Sequence, residues 1–197
     1  DHPDFSKLEQ FKREMLKSDD IDFVVFYNSR NIRRKSTPDT ILAYRIFCDK
    51  IGKEKAKRCA LLLHTDPVDG NGTDLRAVRD AICDPEYVKV LFSSQKIPSQ
   101  QLVNLCGTYF TGTMIIPNVT GGMQDQCRFE KDGKWIDFDA DFPSNHRGTV
   151  KDHGDWAVPV YPSNISLVGS VPTPYIFDDR CDPDDAAAAL LTVYEMG

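Results

Sequence analysis

The sequence predicts an α/β protein with a mostly parallel sheet. Apolar runs of strand length alternate with amphipathic stretches at helical spacing through the first 116 residues. The runs lack polar alternation, which is the pattern of strands covered on both faces. A length of 197 residues, with 41% hydrophobic and 27% charged residues, suffices for one core of ordinary globular composition.

The elements follow in order. Phe5, Leu8, Phe11, Met15 and Leu16 mark residues 5–17 as an amphipathic helix, stopped by Ser18, Asp19 and Asp20. Residues 21–27 (IDFVVFY) read as the first strand. Thr37 as N-cap and Pro38 in the first turn open a second helix that runs to Lys50 and ends at Gly52. Residues 59–64 (CALLLH) are a second buried strand, followed by a turn-rich stretch at 65–72. A short helix is expected at 74–83, a third strand at 88–93, a further helix at 98–106 and a short fourth strand at 114–116. At the far end, 183–196 (PDDAAAALLTVYEM) is a strong helix former with Asp182 as its cap.

Residues 127–180 break the alternation, being rich in Pro, Gly, Asp and aromatics. So long a stretch without structure would be unusual in a compact domain. Short strands or a hairpin are expected near 134–136 and 156–161. The whole chain, 1–197, then reads as one domain with an irregular insert at about 127–180.

Composition narrows the function. No run of 18 apolar residues is present, so no membrane span is expected. The start Asp1-His2-Pro3-Asp4 does not read as a signal peptide. A net charge of −6 argues against a general nucleic-acid binder. The six cysteines include no C-x-x-C pair, which disfavours a zinc site and suits small core side chains in a reducing, cytoplasmic setting.

In an open parallel sheet, ligands bind beyond the carboxyl ends of the strands. The loop after the first strand, residues 28–36 (NSRNIRRKS), carries Arg30, Arg33, Arg34 and Lys35 in an otherwise acidic chain. It leads into a helix N-terminus, and arginine forks match phosphate oxygens in pairs. A diphosphate site is one reading; a solvated charged loop or an RNA-contacting patch is the other.

Residues 23–47 (FVVFYNSRNIRRKSTPDTILAYRIF) resemble the opening of the donor-binding domain of the group 1 family of retaining GT-B glycosyltransferases. Ser29-Arg30 and Lys35 match that family's strand, Gly-Arg and a Lys five residues on. The likeness continues through 61–67 (LLLHTDP), 90–98 (VLFSSQKIP) and 112–122 (GTMIIPNVTGG). It implies a Rossmann-like, three-layer α/β/α domain that is half of a GT-B fold. It implies that Arg30 and Lys35 hold the donor diphosphate and stabilise charge on the leaving nucleotide. Ser29 and the Gly121-Gly122 turn would sit close to that diphosphate, and Lys96 and Ile97 near the base.

The implied reaction transfers a sugar from a nucleotide-sugar to an acceptor with retention, with no obligate metal and no cofactor besides the donor as substrate. The acceptor is a glycan, lipid or protein, and a separate acceptor-domain chain is an expected partner. The family's E-x7-E segment has no counterpart between Leu105 and Gly112. A truncated or degenerate copy, or a non-catalytic nucleotide-binding or assembly module, is therefore the alternative.

Other groups carry weaker signals. His64 beside Asp66 suggests a base or a hydrogen-bonded loop residue. His146 and His153, with Asp152 and Asp155, suggest a metal site or a polar loop. Asp178, Asp179, Asp182, Asp184 and Asp185 suggest a divalent cation or helix capping. Trp135, Trp156, Tyr161 and Tyr175 suggest either a carbohydrate platform or the small core of the insert.

Overall fold

The structure, a computed structural model, describes residues 13, 14, 16, 18, 20–94, 114–136 and 152–197. The chain divides into two compact units, Asp1–Thr113 and Met114–Gly197. The fold is mixed α/β, with one parallel three-stranded sheet and two antiparallel pairs among the described residues.

The first unit holds β1 (Phe23–Asn28), α1 (Thr37–Ile51), α2 (Lys53–Ala56), β2 (Cys59–His64), α3 (Leu75–Ile82) and β3 (Val90–Ser93). The strands lie in the order β1-β2-β3, all parallel. β2 is central and its residues 59–63 are buried. β1 is only half-buried because, among the described residues, it has a partner on one side alone. On one face, Ala60 packs with Leu16 and Ile21, against which Val24 and Leu91 also lie. On the other face, Phe23 meets Phe47 of α1 with ring centroids 5.6 Å apart. Ile21, expected as the first strand residue, precedes the strand and serves this core instead.

α1 departs from expectation at its start. Ser36, not Thr37, is the N-cap, and it sits in the left-handed region at φ 45°. Thr37 is buried as the first helical residue, and its hydroxyl is 3.4 Å from the Tyr27 hydroxyl. Pro38 lies in the first turn and Gly52, at φ 84°, ends the helix as expected. Asp74 caps α3 by accepting from the N–H groups of Arg76 and Ala77. The expected helix at 98–106 lies outside the described residues, as does most of the one at 5–17, of which 13, 14 and 16 are helical.

The second unit is built from shorter pieces. Residues 115–119 run parallel to 156–160 through bridges Ile115↔Ala157 and Asn118↔Val160. The expected fourth strand at 114–116 is thus an isolated ladder and not part of the parallel sheet. Pro117 accepts from the Val160 N–H at 3.0 Å but has no N–H to return, which leaves the ladder a rung short. A 3-10 helix, Gly121–Cys127, follows. Then come the hairpin β4 (Glu130–Lys131) and β5 (Lys134–Trp135), the hairpin β6 (Asn164–Ser170) and β7 (Thr173–Arg180), and α4 (Pro183–Met196). Asp182 caps α4 by accepting from the Asp184 N–H at 2.8 Å. Val119, Cys127, Phe129 and Ala157 form this unit's buried core, with Ile115, Ile136 and Tyr161 against it.

Candidate functional site

The carboxyl ends of the three parallel strands bring together residues from three separate segments. Register places Asn28, His64 and Ser93 side by side at the last position of β1, β2 and β3. Paired residues of a parallel ladder share a face, so these three form a polar row along one edge. His64 Nδ1 and Ser93 Oγ share a hydrogen bond of 3.1 Å. Partial burial holds the His64 imidazole below its ordinary range, outweighing the Ser93 backbone, which raises it. Thr65 follows, 7% exposed, its N–H donating to the Ser93 carbonyl at 3.0 Å. Its buried hydroxyl has no hydrogen-bond partner among the described residues. Asp66, the expected neighbour of His64, accepts instead from the N–H of Val68 at 3.0 Å, closing its own turn.

Beyond β1, the basic loop is tied to the loop after β2. Asn31 is buried, and its amide nitrogen reaches the carbonyls of Thr73 at 2.7 Å, Asp66 at 3.3 Å and Pro67 at 3.4 Å. Its oxygen accepts from the Thr73 N–H at 3.3 Å. Gly72 is required there, since an added Cβ would lie 2.3 Å from the Asn31 carbonyl oxygen. Arg30, one residue earlier, donates through Nε to Asp69 Oδ2 at 2.8 Å and through Nη2 to Oδ1 at 3.4 Å. This lowers the Asp69 carboxyl below its usual range and raises Arg30 further. Asp69 itself is fixed by accepting from the Asn71 N–H at 2.8 Å.

The exposures differ sharply: the Arg30 side chain is 67% exposed and Asp69 12%. Arg30 is therefore a cation held by one edge of its guanidinium with the other edge toward solvent. The far end of the loop is anchored as well. Lys35 closes a 3-10 turn, Arg33–Lys35, and its carbonyl accepts from the Tyr27 hydroxyl at 3.5 Å. All three cations of that turn are exposed. Ser29 is half-buried directly after β1.

The expected site residues separate as follows. Ser29, Arg30 and Lys35 stand on one pinned loop at the carboxyl end of β1. Gly121 and Gly122 belong to the second unit, where they start the 3-10 helix and are exposed, in place of the expected turn. Lys96 and Ile97 lie outside the described residues. Asp69 carries a sequence signal only as a turn former, in the run Asp69-Gly70-Asn71-Gly72, and Asn31 carries none beyond its place in the basic loop.

The remaining candidates resolve locally. Trp135, Trp156 and Tyr175 are exposed and only Tyr161 contributes to the small core, so the tryptophans are not the core of the insert. Asp179 accepts from the Thr120 hydroxyl at 2.9 Å, and Asp182 caps a helix. Among the described residues, no three His, Cys, Asp or Glu side chains stand close enough to hold a metal ion, and His146 lies outside them. Cys48, Cys59, Cys83 and Cys127 are buried free thiols, with burial pushing Cys48 up to about 12. No helix among the described residues is long and apolar enough to cross a membrane. No protein family, curated protein or solved structure matches the chain.

Proposed function

We propose that the chain is the donor-binding half of a retaining GT-B glycosyltransferase, with a nucleotide-sugar held at the carboxyl edge of the parallel sheet. The observation that carries this reading is Arg30. It is a solvent-facing guanidinium just past the end of β1, oriented by its hydrogen bonds to Asp69. Oriented cations that need no rearrangement are what a developing diphosphate charge requires. The strand order supports the placement. A 3-2-1 arrangement is one half of a doubly wound, Rossmann-like sheet, and its β1 borders the crevice where such folds bind nucleotides.

In this reading Arg30 takes diphosphate oxygens through its free edge, and Lys35 adds a point charge from the following turn. Ser29, half-buried directly after β1, lines the approach. The bond from the anomeric carbon to the diphosphate oxygen breaks. The acceptor oxygen takes its place, and the acceptor proton leaves with the nucleoside diphosphate. Lack of the E-x7-E segment favours a second reading, a nucleotide-binding module without turnover.

A thermal-shift panel with UDP-, GDP- and ADP-sugars tests the site. Ligand at a hundred times its dissociation constant stabilises by about 2.7 kcal/mol. A shift with one nucleotide that Arg30→Ala abolishes is the expected result; no shift with any of the three overturns it. Release of nucleoside diphosphate with a supplied acceptor then separates transferase from binding module.

A further inference from the structure

The chain has two tryptophans, and both stand over the same side chain. The Arg128 guanidinium carbon lies 4.8 Å from the ring centre of Trp135 and 5.8 Å from that of Trp156. The three arrive from different places. Arg128 ends the 3-10 helix in the left-handed region at φ 49°, a conformation that costs a non-glycine residue and here sets the direction of its side chain. Trp135 comes from β5. Trp156 is fixed by its indole N–H, which donates to the Gln126 carbonyl at 3.1 Å, and by Gly154, where an added Cβ would lie 2.3 Å from the ring. The core beneath is already closed by Val119, Cys127, Phe129 and Ala157. The indoles nevertheless remain 52% and 41% exposed, which core packing does not require.

A guanidinium stacked by its faces keeps its N–H donors in the plane, free to take a carboxylate in a fork. Among the described residues no carboxylate pairs with Arg128 and no hydrogen bond uses its donors. Beside it, Glu130 stands opposite Trp135 across the β4–β5 ladder and opposite Asp152 across a second bridge. Bridge partners share a face, so Trp135, Glu130 and Asp152 form a row of one aromatic and two hydrogen-bond acceptors. Hydroxyl groups suit such acceptors, and the two acidic side chains repel a doubly charged phosphate more strongly than the single charge of a carboxylate.

We propose that Arg128, Trp135 and Trp156 bind an acidic sugar. The sugar carboxylate takes the Arg128 fork, the C–H face of its ring lies on an exposed indole, and its hydroxyls donate to Glu130 and Asp152. This site belongs to the second unit and does not depend on the donor reading of the first.

Because the only tryptophans are in the site, their fluorescence reads it directly. The full chain is titrated with methyl glucuronide, methyl glucoside and UMP. A saturable change with the glucuronide, and an affinity at least about tenfold weaker for the glucoside, is the expected result. Arg128→Gln should weaken glucuronide binding by about tenfold or more at an unchanged melting temperature. Trp135→Phe, with Trp156 left as reporter, should weaken it too. No saturable response, an equal response to the glucoside, or tighter binding of UMP overturns the proposal, the last in favour of a nucleotide.

Discussion

β2 and the β6–β7 hairpin are both rich in apolar residues, yet they are stabilised differently. In β2, residues 59–63 are removed from solvent and lie between two other strands. In the hairpin, Leu167 and Phe177 are paired in register and both remain exposed, as do Ile165 and Tyr175. The first depends on burial across layers, the second on backbone pairing within one ribbon. Leu62→Ala should therefore cost about 3 kcal/mol in urea unfolding, through lost transfer energy and the cavity left behind. Leu167→Ala should change stability by less than about 0.5 kcal/mol. Equal effects would break the comparison and would mean that something covers the hairpin.

The next effect tests how the rigid sheet is extended into a site. Asn31→Ala leaves the Thr73 N–H and the carbonyls that Asn31 served without that partner, in a buried setting. A loss of about 2 kcal/mol is expected. Faster amide exchange over residues 66–73, with β2 unaltered, would show that the clamp holds the loop and not the sheet.

This contrast also explains what could be read in the sequence. β2 lies where expected, because five buried residues in a row leave few other choices. α3 and α4 were legible for a similar reason, with Asp74 and Asp182 marking their starts. The β6–β7 hairpin was missed although Ile165 and Leu167, and Tyr175 and Phe177, alternate at the period of a strand. Pro172 and Pro174 argue against strands, but Pro172 falls in the turn and an open ribbon tolerates Pro174 where a central strand does not. In the candidate site, Arg30 stood out as charge at a strand end. The clamp did not, because Asn31 meets Thr73 only after two strands have been brought side by side. Asp69 was hidden similarly, since a turn-forming aspartate looks the same with or without an arginine on it. The Arg128 stack joins three segments that no period connects.

A smaller effect sharpens the comparison within the second unit. At Gly154 an added Cβ must push the Trp156 ring away, whereas at Gly122 nothing stands nearer than Asp125 at 4.0 Å. Gly154→Ala should cost about 1 kcal/mol and change the tryptophan emission as the Arg128 stack opens. Gly122→Ala should leave both within error. A silent Gly154→Ala would mean that the indole is not fixed and that the acidic-sugar site is not built in advance.

The smallest effects are electrostatic and separate by pH within the first unit. His64 has its folded-state pKa lowered from 6.5, chiefly by burial, so the unfolded chain takes up a proton first. Stability therefore falls as pH drops from 6.5 toward the folded value and levels out below it. Asp69 has its folded-state pKa lowered from 3.8 by Arg30. Its contribution is complete above 3.8 and is lost as pH falls through the folded value. His64→Gln should flatten the upper limb and Arg30→Ala the lower, in urea midpoints followed from pH 7.5 to pH 3 on the order of one-unit steps. At neutral pH Arg30→Ala should leave stability nearly unchanged, since an ion pair with so exposed a guanidinium contributes little. The same substitution should abolish the nucleotide-sugar shift. A guanidinium nearly neutral for stability and indispensable for anion binding is held in place to meet a ligand. If Arg30→Ala instead unfolds the chain at pH 7, the Asp69 pair is a structural tie between two loops and the donor reading loses its main support.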